Sequence, residues 1–107
     1  MNDSACDAQI FVEGMSKQDF LNDKRTRQAT IMSLLIIGEA ATKVMAKYSD
    51  DLSAFPQIEW RSMRGMRNRI AHGYADINLE LVWDTVQTEL TELRRSLDEI
   101  MQDLPSS

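Results

Sequence analysis

The stretch from Lys24 to Lys47 constrains the fold more than any other part of the chain, because its spacing predicts one long helix that is apolar on two sides. Leu34, Ile37, Ala41, Val44, Met45 and Tyr48 form its main apolar face, with Ile31 at the edge, while Met32, Leu35 and Ile36 fall opposite. One buried face does not need both sets. A helix patterned this way lies in the middle of a bundle or touches a second subunit. Asp23 is placed to cap its start. Glu39 lies on the second face with Lys43 four residues on, so an ion pair between them is its simplest role, and a place near a functional site is the alternative.

The remaining segments predict shorter helices packed around this one. Ile10, Phe11 and Val12 suit the end of an opening helix, and Ser16 with Asp19 three residues on forms a capping-box pattern before a turn through Phe20 and Leu21. Ser49 to Pro56, with two aspartates and a proline, reads as a loop. A further helix is expected from near Glu59 to Gly73, a residue suited to end it. Gly65 inside it costs about 1 kcal/mol against alanine, which points to close helix packing there. Asn78 is an N-cap for the last helix, with Ile77 and Val82 as a staple, and that helix is expected to run to about Asp103. Its seam is Leu79, Val82, Trp83, Val86, Leu90, Leu93, Leu97, Ile100, Met101 and Leu104. The expectation is a single all-α domain over residues 1–107, a small helical bundle.

At 107 residues one core is possible, although roughly a third of the unfolded surface stays wet. A hydrophobic content of 43% argues against disorder. Cys6 is alone, and the first cationic side chain is Lys17, so neither an intrachain disulfide nor the basic start of a secretory signal is present. The longest strongly apolar run, Ile31 to Ile37, is interrupted by Ser33 and falls short of the ~20 residues of a membrane span. A soluble cytoplasmic protein is expected.

The eight residues Arg67-Asn68-Arg69-Ile70-Ala71-His72-Gly73-Tyr74 concentrate the chemistry of the chain, including its only histidine. At about 100° per residue, Arg61, Arg64, Arg67, Asn68 and His72 share one arc of roughly 140°, while Met63, Met66 and Ile70 form a separate apolar stripe. The net charge of −5 argues against a generally basic nucleic-acid binder. Its distribution matters more. Trp60 to Tyr74 holds four arginines and no acid, whereas Asp76 to Asp103 sets eight acids against Arg94 and Arg95. A basic patch on an acidic body suits brief contact with phosphates, and equally a docking surface for a protein.

Arg67, four residues, His72, one residue and Tyr74, preceded by Gly65-Met66 and with Asn68 directly after the arginine, resemble the signature of the HEPN superfamily, specifically the HepT-like toxin ribonucleases. Glu13-Gly14-Met15-Ser16, Ile36-Ile37-Gly38-Glu39-Ala40-Ala41 and Leu79-Glu80-Leu81-Val82-Trp83 resemble that family's other recurring stretches, in the same order. Set against the family, the opening helix looks short. The resemblance implies a HEPN-type bundle that dimerises through a helix–helix interface, with the two motifs sharing a cleft. It implies a metal-independent endoribonuclease toxin of a toxin–antitoxin pair, with Arg67 and His72 as catalytic residues and Asn68 orienting the imidazole. It also implies a cognate nucleotidyltransferase antitoxin of the MntA type, which attaches AMP to Tyr74.

Read for their own chemistry, the residues fit that assignment. Arg67 offers a planar charged fork for phosphate oxygens, and histidine is the side chain suited to moving protons near neutral pH. His72 at a helix end is equally compatible with a simple C-cap. Arg61, Arg64 and Arg69 serve either as a solvated face or as RNA-backbone contacts, and Glu39 is a candidate secondary residue of the active site. With one histidine, one cysteine and scattered carboxylates, no metal site and no cofactor is expected. The alternative function is a non-catalytic helical partner, or substrate-binding subunit, of a minimal nucleotidyltransferase.

Overall fold

The computed structural model describes residues 2–47 and 58–103. Its elements are α1 (Asn2–Phe11), α2 (Lys17–Leu21), α3 (Lys24–Lys47), α4 (Trp60–Gly73), a 3-10 turn (Tyr74–Asp76), α5 (Leu79–Asp84), a π-helical segment (Thr85–Glu89) and α6 (Leu90–Asp103). No strand occurs among the described residues, so the chain is all-α as its periodicity predicts. The expected loop from Ser49 to Pro56, together with Tyr48 and Leu104, lies outside the described residues, and so does the side chain of Met101.

Helix starts follow their local chemistry. Ser16 and Asp19 exchange both bonds of a capping box, each 3.1 Å long. Asp23 Oδ1 accepts from the Thr26 N–H at 3.0 Å and opens α3, while Asn78 Oδ1 accepts from the Leu81 N–H at 3.1 Å and opens α5. Gly14 sits at φ +77°, the left-handed conformation glycine tolerates, and turns the chain after α1. α2 is tied to α5 by a tilted Phe20–Trp83 ring pair with centroids 5.4 Å apart and by an exposed Lys17–Glu80 ion pair at 3.5 Å.

One core runs through the molecule, built from Ala5, Ala8 and Val12 of α1, Phe20 of α2, Ile31, Leu34 and Ile37 of α3, Met66 and Ile70 of α4, and Val82, Val86, Leu90 and Leu93 of the last helical run. α3 packs on both α1 and α4 and is the central helix. By length and composition it would also be apolar enough to cross a membrane, with a mean hydropathy of 1.5, but 39% of that window is buried within the fold. Packing on two neighbours gives its apolarity a use without a bilayer. Leu35, assigned from the sequence to the outer face, is half-buried against the core, whereas Met32 and Ile36 are 55% and 48% exposed. The second apolar face is therefore real but narrower than its pattern suggests.

Two features depart from the sequence reading. The last helix is not uniform: Val82, Val86 and Leu90 follow each other at steps of four, a spacing that drifts round an α-helix, and the π turn at Thr85–Glu89 keeps all three on the core side. The close helix contact is also not at Gly65, where an added Cβ would meet nothing within 4 Å. It is at Gly38 of α3, where a Cβ would fall 2.4 Å from the Arg67 Cβ and 2.8 Å from the Met63 carbonyl oxygen of α4.

Candidate functional site

α4 has the two sides its spacing predicts. Met66 and Ile70 are buried and Met63 is half-buried against the core, while Arg61, Arg64, Asn68, Arg69 and His72 are exposed. Burial of the methionine and isoleucine stripe fixes the rotation of the helix and so turns the polar arc outward. Arg67 is the exception within that arc. Its side chain keeps only 23% of its surface, because its stem rests against α3 at Gly38.

The Arg67 Nε lies 3.2 Å from Oε1 of Glu39. The simplest partner for Glu39, Lys43 on its own helix, is not the one it takes. The Nε is buried, yet its hydrogen is not aimed at the carboxylate, so the contact is an ion pair without an aligned hydrogen bond. The Glu39 side chain is 49% exposed, and a pair this open contributes only about 0–1 kcal/mol to stability. Its effect is on where the guanidinium points.

His72 lies in the last turn of α4, where the helix dipole favours a cation, and its side chain is open to solvent. Asn68 is one turn earlier on the same face, but no hydrogen bond joins the two. Gly73 ends the α-helix at φ −151°, without a left-handed cap. The chain continues as a 3-10 turn that presents Tyr74 with 48% of its surface exposed.

The arrangement gathers a held arginine, a solvent-accessible imidazole, an amide and an accessible phenol along one edge of α4. Arg61, Arg64 and Arg69 surround it and make no ion pair among the described residues, so the local field is positive. The geometry suits an anionic ligand: Arg67 can offer its terminal nitrogens to phosphate oxygens, and His72 can give or take a proton beside them. Gly38 is the residue whose part the sequence reading missed. Its signal was there, since a glycine inside an otherwise apolar helix costs about 1 kcal/mol and needs a reason.

Comparisons with known proteins agree over most of the chain. A family model described as ribonuclease HepT-like matches residues 1–100. A Methanocaldococcus jannaschii protein named as a candidate RNase is 34% identical over 94 residues, covering 88% of this chain and 75% of that one. A second candidate RNase, from Caldanaerobacter subterraneus subsp. tengcongensis, is 34% identical over 91 residues, covering 85% and 79% of the two chains. A Thermococcus cleftensis protein named "Probable ribonuclease HepT" is 32% identical over 90 residues, covering 84% and 79%. No solved structure gives a significant match.

Proposed function

The chain belongs to the HepT-like ribonuclease family, and from that premise we propose that it is a metal-independent endoribonuclease, the toxin of a toxin–antitoxin pair. The observation that carries the reading is the placement of Arg67: it is half-withdrawn against α3 and paired through Nε, with the motif histidine open on the same helix. An arginine fixed in this way is prepared to stabilise charge that develops on a phosphate, which is where a positioned donor contributes most to a rate.

In the proposed reaction the substrate's own 2′-hydroxyl attacks the adjacent phosphorus. The O2′–P bond forms as the P–O5′ bond breaks. The 2′-hydroxyl proton passes to a general base and the O5′ leaving group takes one from a general acid, giving a 2′,3′-cyclic phosphate and a 5′-hydroxyl. His72 moves protons and Arg67 holds the non-bridging oxygens, so the step needs no metal ion. Asn68 is proposed to engage the imidazole once the cleft is closed, and Arg61, Arg64 and Arg69 to contact the RNA backbone.

One histidine cannot serve as base and acid at once, and a homodimer supplies the second. Met32 and Ile36 are exposed on the stripe of α3 that continues at helical spacing to Glu39, so a partner covering them would approach the Arg67 site. A second copy is the proposed cover. Tyr74 is the proposed site of nucleotidylation by a cognate MntA-like nucleotidyltransferase antitoxin: bulky anionic nucleotides at the mouth of a cationic cleft would exclude RNA by volume and by charge.

The experiment compares wild type, Arg67→Ala and His72→Ala for growth arrest on induction and for cleavage of total RNA with EDTA present. Arrest and cleavage by wild type alone are expected. A folded wild type that does neither would overturn the ribonuclease reading in favour of a binding subunit.

A further inference from the structure

Gly38 is buried at the point where α3 crosses α4, and it faces the turn of α4 that runs from Met63 to Arg67. A Cβ there would stand 2.4 Å from the Arg67 Cβ, 2.8 Å from the Met63 carbonyl oxygen and 3.2 Å from the Arg67 Cγ. Two of these three obstacles belong to the stem of the arginine and the third is backbone. The Arg67 Cβ is carried by the α4 backbone and, like the carbonyl, cannot move without moving the helix, while the Cγ can swing away only by changing the rotamer that aims the guanidinium. The next residue on α3, Glu39, then meets the same arginine at Nε. Neighbouring residues thus fix the near end and the middle of one side chain.

We infer that Gly38 and Glu39 form a seat for Arg67: Gly38 is a positioning residue that admits the arginine stem against α3, and Glu39 a positioning residue whose carboxylate stands beside the buried Nε, so that the two terminal nitrogens alone face the substrate phosphate. The seat deepens the ribonuclease reading and rests on it for its effect on rate. The guanidinium has donors on three nitrogens, and a phosphate can be gripped side-on, through Nε and one terminal nitrogen, or end-on, through both terminal nitrogens. With Nε buried and facing a carboxylate, the side-on grip is closed. What remains is an end-on fork whose direction α3 sets. Because the contact is between residues on different helices, any slippage of α3 over α4 reaches the reacting phosphate through this one side chain.

The test uses the full chain with 15N-labelled arginine side chains, and a chimeric oligonucleotide with a single ribonucleotide at a bond that wild type is first shown to cut in total RNA. Wild type, Gly38→Ala, Glu39→Gln and Gly65→Ala are compared. Gly65→Ala is the control on α4, since a Cβ there meets nothing. In the wild type the buried Arg67 Nε–H should give a solvent-protected resonance, identified by its loss in Arg67→Lys. Glu39→Gln, which keeps the volume, should shift that resonance and speed its exchange, and should lower kcat by roughly 10- to 100-fold with KM little changed, as expected for a misaligned group. Gly38→Ala should do the same, and Gly65→Ala should do neither. If Gly38→Ala does not fold, Glu39→Gln still decides. An Arg67 Nε–H that is unaltered in Glu39→Gln, with kcat within twofold of wild type, would overturn the seat. If wild type cuts no RNA, the ribonuclease reading falls by itself, and the Nε–H resonance still reports whether the seat exists.

Discussion

Glu39, in the interior of α3, meets the Nε of Arg67 on α4 at 3.2 Å, and it does so past a lysine on its own helix that was spaced to take it. The pair is too open to hold the bundle together, so its consequence is directional. Arg67→Lys tests that directly. Lysine keeps the charge but has no Nε to hold and no planar fork to present. RNA cleavage should fall by about 100- to 1,000-fold, the loss typical of removing one positioned donor, while the melting temperature stays close to wild type. Cleavage rates and thermal melts of the two proteins check this.

The two interior glycines should respond in opposite ways to the same substitution. Gly65→Ala adds a methyl group to open space on a helix, so unfolding in urea should show a gain of about 0.5–1 kcal/mol. Gly38→Ala drives a Cβ into Arg67 and the Met63 carbonyl, and should cost about 1–3 kcal/mol through overpacking. Equal effects at the two positions would contradict the crossing point assigned to Gly38.

Asp23 gives the fold a defined acid sensitivity. The Thr26 backbone N–H, and then the Thr26 side chain, hold its carboxyl below the ordinary value of 3.8. A carboxyl lowered on folding contributes stability that is fully present above the unfolded value and is lost as pH falls through the folded one. Wild type should therefore lose more stability than Asp23→Asn as pH drops below 3.8, because asparagine keeps the capping oxygen but does not titrate. Denaturant titrations across that range, read as the difference between the two proteins, give the comparison.

Met32 and Ile36 should report on the proposed dimer. Replacing both with glutamate places charge on an already exposed stripe, so the monomer fold should survive with unchanged helical circular dichroism. Sedimentation should then show the protein shifting from dimer to monomer, and RNA cleavage should disappear with it. A variant that stays dimeric would move the interface elsewhere.

Tyr74 separates activity from its control. Its ring is half-exposed on the 3-10 turn beyond α4, and the proposed chemistry at Arg67 and His72 does not use its hydroxyl. Tyr74→Phe should cut RNA at a rate near wild type and should gain no AMP mass when incubated with a minimal nucleotidyltransferase and ATP. Wild type should gain that mass and lose cleavage. Mass spectrometry and a cleavage assay on the same samples decide.

The sequence by itself determined the helices, their starts and the two-sided character of α4. Ser16, Asp23 and Asn78 cap where they stand because a cap bonds to a backbone N–H three residues away, a contact the chain cannot avoid once the helix forms. The buried stripe of Met66 and Ile70 follows from periodicity in the same way, and the signature around Arg67 and His72 was legible because both residues sit within two turns of one helix. What only the tertiary structure decided is everything that depends on how α3 meets α4. Glu39 had an acceptable partner in Lys43, and Gly65 was as plausible a crossing point as Gly38. Neither choice is settled by spacing along one helix. It is settled by the place at which two core faces can approach most closely, and that place is set by the packing of all the other side chains at once.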